Sequence, residues 1–311
     1  MRVMPNGRLA THRSPLAIDL FAGCGGLTTG LRKAGFEVVA AVEIDPLAAN
    51  TYKRNHPQTH VWTQDIRRIS AATLAKKTRL VRGRLDLLAG CPPCQAFSRM
   101  RSLNRARRIR DPKQKDLLGE ILRFARVLRP KTVMVENVPG LALDRRWKSF
   151  VARLRSMSYE CEYKILNCGD YSVPQRRRRL VLLASRFGNV PFAAAARTHT
   201  TVRHAIGNLK PAGRSGDPLH DFPENRSPKV RRLISLIPRN GGSRIDLGAK
   251  KQLRCHLECD GFKDVYGRMK WDRPSPTITS GCFNPSKGRF LHPTANRSIT
   301  LREAALIQSL T

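Results

Sequence analysis

The sequence predicts an α/β protein with a doubly wound, mostly parallel sheet and a smaller, irregular second domain. Between about residues 16 and 185, short and nearly continuous apolar runs alternate with segments of helical spacing. That alternation is typical of parallel strands covered by helices on both faces. Hydrophobic residues make up 41% of the 311 residues, which is enough for a sizeable core. After Arg186 the apolar runs shorten, and Gly, Pro, Asn and Arg become frequent.

The apolar runs predict the strands in order. A further short apolar run, just before Gln64, predicts one more strand that ends there. The clearest helix begins at Leu117, continues through Leu128 and stops before Pro130. Thr300 and Glu303 have the spacing of a capping box and predict a late helix. The runs predicted as buried strands are Leu16–Phe21, Val38–Ile44, Leu85–Ala89, Thr132–Val135 and Leu180–Ala184.

The same change in composition predicts the domain boundaries. We expect a basic N-terminal tail at 1–15, the sheet domain at 16–186 and the smaller domain at 187–285.

The charge balance predicts a polyanionic partner. Lys and Arg number 58 against 23 Asp and Glu, a formal net charge of +35, which indicates nucleic acid. The basic residues are spread along the whole chain, so a membrane surface is not expected. No run of about 18 apolar residues is present, and residues 1–15 lack the apolar core of a secretion signal. The eight scattered cysteines favour the reducing cytoplasm.

The ends of the first three predicted strands suggest an adenosine-containing ligand. In doubly wound sheets, ligands bind beyond the carboxyl ends of the strands. Gly23 and Gly25 allow a tight turn there, Glu43 can accept hydrogen bonds from two ribose hydroxyls, and Asp65 can accept one from an adenine amino group. Two alternatives stay open: a dinucleotide fold, although Thr28 stands where its third glycine belongs, and Asp65 as a helix cap.

The fourth and fifth strand ends carry groups suited to nucleophilic catalysis. Pro92 and Pro93 stiffen the chain before Cys94, whose thiol at a strand end of a basic protein can act as a nucleophile. Glu136, after the fifth strand, can protonate or hydrogen-bond a ring as charge develops. The alternatives are a redox or zinc pair of Cys91 with Cys94, and an ordinary salt bridge at Glu136.

Residues 175–179 read QRRRR immediately before an apolar strand. Side chains alternate along a strand, so Arg177 and Arg179 should share one face and Arg176 and Arg178 the other. The simpler interpretation is a solvated basic patch for phosphate.

These segments together resemble the ordered motifs of DNA cytosine-5 methyltransferases. DLFAGCGG, AVEID, QDI, GCPPCQAFS, ENVPG and QRRRR occur in the family's order, and PTIT and RSITLREAALIQSL continue the match. The resemblance covers residues from about 16 to 185 and from about 265 to 311. It implies the fold of S-adenosylmethionine-dependent methyltransferases, with 16–186 as the catalytic and cofactor-binding domain and 187–285 as the target-recognition domain. It also implies that residues 286–311 return to the catalytic domain and leave its C-terminus incomplete.

The resemblance also implies roles for the matching residues. Cys94 would add to C6 of a flipped-out cytosine, Glu136 would hydrogen-bond N3 and the amino group, and Arg179, helped by Arg177, would contact O2. No metal is implied, and Cys255, Cys259, Cys282 and His292 fit no standard zinc spacing. S-adenosylmethionine would be held by Phe21, Gly23, Gly25, Glu43, Ile44, Asp65, Ile66 and Leu117.

Two departures keep alternatives open. Family members usually continue past the REAALIQSL helix to a segment that closes the cofactor pocket, and residues 111–116 fit the family pattern only with a one-residue shift. We expect an active enzyme that acts on double-stranded DNA. The enzyme is expected to be monomeric or to be completed by a second polypeptide. The alternatives are an inactive relative that binds DNA without turnover, and methylation of RNA by the same chemistry.

Overall fold

The computed structural model describes residues 13–93, 117–248, 252 and 263–310. The chain divides into two compact units. The sheet unit comprises Met1–Ile165 and Arg179–Phe192, and the second unit comprises Leu166–Arg178 and Ala193–Thr311. The predicted tail at 1–15 lies almost entirely outside the described residues. Within those residues, no helix has the length and apolar character needed to cross a membrane.

The sheet unit is built on a seven-stranded sheet of order β3-β2-β1-β4-β5-β7-β6. The pairs β1–β2, β1–β4, β2–β3 and β4–β5 are parallel, and β5–β7 is antiparallel. This topology confirms the predicted doubly wound, mostly parallel fold. The strands are β1 (Leu16–Leu20), β2 (Glu37–Glu43), β3 (His60–Thr63), β4 (Leu87–Gly90), β5 (Thr132–Asn137), β6 (Glu160–Asn167) and β7 (Arg178–Ser185).

The strand order determines where a ligand can bind. The chain moves outward from β1 to β3 and then returns to the other side of β1 with β4. Such a reversal opens a crevice beyond the carboxyl ends of the two central strands. Because β7 runs antiparallel to β5, its first residues lie at the same edge at which β4 and β5 end.

The helices follow the predicted spacing. Leu118, Ile121 and Leu122 are buried within a helix that spans Leu117–Leu128, which confirms the helix expected there. Several other helices begin at a capping residue, such as Asp45, which precedes Pro46 and whose side chain accepts from the backbone amides of Leu47 and Ala48. The helices are α1 (Gly26–Lys33), α2 (Pro46–Asn55), α3 (Ala71–Lys77), α4 (Leu117–Leu128), α5 (Arg145–Ser156), α6 (Val202–Ile206), α7 (Pro228–Leu236) and α8 (Leu301–Ile307).

Two features of the sheet differ from the prediction: the additional strand β6 and the incomplete cover of one face. β6 is an edge strand with no fully buried residue, so it has neither the apolar run nor the alternation that predicts a strand. In β5, buried residues alternate with half-buried ones such as Met134. One face of that half of the sheet is therefore only partly covered, whereas all five residues of β1 are buried.

The second unit contains little regular structure and has its own small cores. The predicted capping box is confirmed: Thr300 accepts from the Glu303 amide at 3.1 Å and donates its own amide to Glu303 at 2.8 Å. α8 packs against α6, so residues 286–310 group with this unit, whereas we expected them to return to the sheet domain. The cluster between these helices includes Val202, Ile206, Met269, Phe290, Ile299 and Ile307.

A buried guanidinium organises another part of the second unit. The Arg268 side chain has no exposed surface. Its nitrogens donate to the carbonyls of Ile234 at 2.9 Å and Ile237 at 3.1 Å, at the end of α7, and to His292 at 3.0 Å. Burial lowers the pKa of Arg268, and these carbonyls compensate for the lost hydration.

Candidate active site

The turn after β1 requires backbone that favours glycine. Gly23 and Gly25 have φ of 56° and 95°, and Phe21, with φ of 60°, is also left-handed. A Cβ at Gly25 would lie 2.6 Å from ring atoms of His56, so no larger residue fits there without displacing that ring. The turn thus leads directly from β1 into α1, as the glycine spacing predicts.

Glu43 at the end of β2 holds this turn in place. Its Oε2 accepts from the Gly23 amide at 2.7 Å, and its Oε1 accepts from the Asp45 amide at 2.8 Å. A carboxylate oxygen can accept more than one hydrogen bond, so each oxygen keeps a position for a hydroxyl donor. The residue predicted to bind a ribose therefore also shapes the loop beside it.

A buried polar cluster beneath the turn was missed by the sequence analysis. Asp19 has no exposed surface, its Oδ2 accepts from the Thr28 hydroxyl at 2.7 Å, and Thr28 lies 2.6 Å from the Tyr52 hydroxyl. Asp19 Oδ1 has no hydrogen-bond partner among the described residues. Burial, with a smaller effect from Glu43, raises the pKa of Asp19 to about 7. An acid within an apolar strand was the available signal.

The remaining predicted cofactor residues differ in their surroundings. Asp65 caps a short 3-10 helix by accepting from the Arg67 amide at 3.0 Å, and the Arg67 side chain lowers the pKa of Asp65. An adenine amino group would therefore meet Asp65 beside a guanidinium. Ile44 is 61% exposed. Ile66 is buried in the hydrophobic core, and Leu117 packs against that core. The side chain of Ile66 is thus not available to a ligand.

The segment that leads to the predicted nucleophile is anchored on both sides. The Cys91 amide donates to the Leu20 carbonyl at 3.2 Å. Asn137, which is buried at the end of β5, donates from Nδ2 to the Pro92 carbonyl at 2.9 Å. Cys94 itself lies outside the described residues, as do residues 111–116, Cys255 and Cys259. Asn137 was not among the predicted site residues.

Glu136 and Arg179 form an ion pair at this edge of the sheet. Arg179 Nε lies 2.7 Å from Glu136 Oε1, and the side chains are 20% and 26% exposed. The antiparallel pairing of β5 and β7 brings them together although they are far apart in sequence. Arg177 and Arg179 are half-buried while Arg176 and Arg178 are exposed. Arg177 belongs to the second unit, where its carbonyl accepts from the Cys168 amide at 2.9 Å.

Comparison with known proteins identifies the family. The profile of the C-5 cytosine-specific DNA methylases matches residues 16–311. The chain belongs to the C-5 cytosine-specific DNA methylase family. Among the family's members, it is 34% identical over 304 residues to the type II methylase M.HgiDII of Herpetosiphon aurantiacus, covering 94% of this chain and 83% of the relative. It is 31% identical over 332 residues to the type II methyltransferase M1.BsuMI of Bacillus subtilis, with coverages of 99% and 75%.

Solved structures agree on the fold. A prophage-encoded DNA modification methyltransferase of Escherichia coli superposes with a TM-score of 0.65 at 23% identity, covering 94% of this chain and 88% of that one. Dnmt2 methyltransferase of S. pombe superposes with a TM-score of 0.58 at 19% identity, with coverages of 96% and 87%. As a family member, the chain is a DNA (cytosine-5-)-methyltransferase, and S-adenosylmethionine is its methyl donor.

The described residues suit that cofactor. Glu43 offers acceptor positions for a diol, and Ile44 offers an exposed apolar side chain for a flat ring. Metal ligation is not implied by the family, and no three His, Cys, Asp or Glu side chains cluster suitably within the described part of the chain.

Proposed function

We propose that this methylase modifies cytosine at a specific sequence in duplex DNA through a covalent bond between Cys94 and C6 of the base. C6 cannot be reached inside a stacked duplex, so the target nucleotide must be flipped out. The Cys94 thiolate adds to C6, and electron density moves into the ring towards N3. This addition makes C5 nucleophilic.

The ion pair of Glu136 with Arg179 is the observation that carries the proposal. A proton held between Glu136 and N3 neutralises the charge that develops on the ring, and the second carboxyl oxygen accepts from the exocyclic amino group. Arg179, at 2.7 Å from Glu136, restricts the rotation of that carboxyl group, and we propose that its guanidinium donates to O2 of the base. We propose that Arg177 assists Arg179 in contacting O2 of the base.

Other residues are proposed to position Cys94 and to bind S-adenosylmethionine. Asn137 holds the Pro92 carbonyl, which limits the positions available to Cys94 two residues later. Glu43 and the glycine turn, together with Ile44, Asp65 and Leu117, are proposed to hold S-adenosylmethionine, which supplies an electrophilic methyl group when bound. Loss of the C5 proton to solvent and cleavage of the bond from C6 to sulfur then release 5-methylcytosine and restore the Cys94 thiolate.

The proposed biological setting is inferred from the type of the relatives. The relatives compared above are type II methylases, so we propose that this chain protects or marks one DNA sequence within a restriction–modification system. Residues 187–285 are proposed to read that sequence in the major groove. We further propose a cytoplasmic protein that associates with the nucleoid through DNA and acts as a monomer or with a completing polypeptide.

Covalent trapping on 5-fluorocytosine DNA tests the mechanism directly. After methyl transfer, C5 of the fluorinated base carries no proton to lose, so the protein stays attached to the DNA. With S-adenosylmethionine and a fluorinated duplex library, we expect a denaturation-resistant complex whose DNA-linked peptide contains Cys94.

Matched variants make this experiment specific. Cys94→Ser should form no complex, whereas Cys91→Ser, which changes the neighbouring thiol, should still form it. Glu136→Gln should slow trapping by about 100-fold or more, the usual effect of losing a general acid. Absence of a wild-type complex would contradict the covalent mechanism, and trapping on tRNA but not on duplex DNA would contradict the proposed substrate.

A further inference from the structure

A basic cavity lies within the second unit. Its volume is about 460 Å³. The range for small-ligand sites begins near 300 Å³, so the cavity can hold a group the size of one nucleotide. Of the described residues that line it, half are cationic and none is acidic. The lining residues are Arg176, Gly241, Met269, Lys270, Arg273, Pro274, Pro276 and Arg289.

Two glycines shape the basic cavity by making room for two of its cations. A Cβ on Gly241 would lie 2.3 Å from Lys270 Cε, so the lysine stem passes directly over that backbone. A Cβ on Gly267 would lie 2.8 Å from Arg289 Cζ. Arg289 Nη1 also donates to the Gly241 carbonyl at 2.9 Å. Close packing against backbone thus holds both cations in place.

Backbone hydrogen bonds position a third cation, Arg176. Its amide donates to the Ser275 carbonyl at 2.8 Å, and its carbonyl accepts from the Thr277 hydroxyl at 2.7 Å. The buried Gln175 accepts from the Ile278 amide at 3.0 Å. The segment with Arg176 is therefore joined to the segment that follows Arg273, and both contribute to one cavity.

The positive charge of the basic cavity is largely uncompensated. Of its four cations, Arg289 pairs with the exposed Asp264 at 3.3 Å. Asp272, which adjoins Arg273 in sequence, pairs instead with Arg203 at 2.8 Å. Among the described residues, no carboxylate pairs with Arg176, Lys270 or Arg273, so four cations minus one carboxylate leave three positive charges.

We propose that the basic cavity binds a phosphodiester of the DNA backbone, an inference that rests on the proposed function. Guanidinium groups match phosphate oxygens in pairs, and an ammonium adds a point charge. The apolar lining by Met269, Pro274 and Pro276 suits the adjoining sugar. Contacts of this type set the position of a protein on the duplex without reading bases.

The salt dependence of DNA binding tests this proposal. Each phosphate contact contributes about 0.9 to the slope of log Kd against log salt concentration. Lys270→Gln combined with Arg273→Gln should reduce that slope by about 0.9, the contribution of one lost phosphate contact, and raise Kd for a random-sequence duplex at least tenfold at low salt. Fluorescence anisotropy between 50 and 300 mM salt measures both quantities.

Controls separate the cavity from bulk charge and from the proposed chemistry. Lys76→Gln with Lys77→Gln removes the same two charges from α3 and should leave the slope unchanged, as should the charge-conserving Arg273→Lys. At saturating DNA the cavity variant should still be trapped on 5-fluorocytosine. An unchanged slope in the cavity variant, or tight binding of a free mononucleotide while duplex affinity is unaffected, would overturn the phosphodiester proposal. Failure of the wild type to be trapped would instead count against the function.

Discussion

Replacing Asp19 by Asn should make the stability of the protein less dependent on pH. Burial raises the pKa of Asp19 from its ordinary 3.8 to about 7. Between these values the folded chain binds more protons than the unfolded chain, so the free energy of unfolding falls as the pH rises. The shift of about three units corresponds to about 4 kcal/mol of the free energy of unfolding. This contribution is lost in full above pH 7. The first ~1 kcal/mol is already lost at pH 4.5.

Asn keeps an acceptor for the Thr28 hydroxyl, which lies 2.7 Å from Asp19 Oδ2, but it cannot ionise. The free energy of unfolding of Asp19→Asn, relative to the wild type, should therefore rise by about 3 kcal/mol between pH 4.5 and pH 8. Urea unfolding followed by tryptophan fluorescence at several pH values gives this difference. A difference that stays constant over this range would refute the reasoning.

Asp86→Asn is the matched control. Burial acts to raise the pKa of Asp86, but hydrogen bonds from Lys131 at 2.7 Å and from the Leu16 amide at 2.8 Å lower it overall. Its stabilising effect is present above pH 3.8 and is lost only as the pH falls below that value. This variant should be less stable than the wild type by a nearly constant amount between pH 4.5 and pH 8.

Three further substitutions test other parts of the structure. Glu43→Ala should weaken S-adenosylmethionine binding by about 1–3 kcal/mol in calorimetry, because charge-assisted hydrogen bonds are lost; an unchanged Kd would remove Glu43 from the cofactor site. Asn137→Ala frees the Pro92 carbonyl and should lower kcat by about tenfold or more with little change in cofactor affinity; a change in affinity alone would contradict that role. Arg268→Met leaves buried carbonyls without donors and should lower the free energy of unfolding by about 3 kcal/mol or more, because each unsatisfied buried acceptor costs about 1–3 kcal/mol; a loss below ~1 kcal/mol would show that the guanidinium is dispensable.

Local spacing was sufficient for much of the fold. The apolar runs of β1, β2, β4, β5 and β7, the helix from Leu117 to Leu128 and the capping box at Thr300 all depend on residues within a few positions of each other. A pattern of that kind is visible in one sequence because hydrophobic periodicity reports a single element. β6 has no such pattern, since an edge strand needs no buried face, and it was missed.

Tertiary structure decided which separate elements combine. The antiparallel direction of β7 joins Arg179 to Glu136, and Asn137 reaches Pro92 from 45 positions away. The burial that perturbs Asp19, the grouping of α8 with α6 and the convergence of four cations on one cavity also depend on long-range packing. Sequence alone determined the chemistry of the candidate groups and the family to which they point. Only the folded chain determined their partners, because hydrogen bonds and ion pairs require proximity in space rather than in sequence.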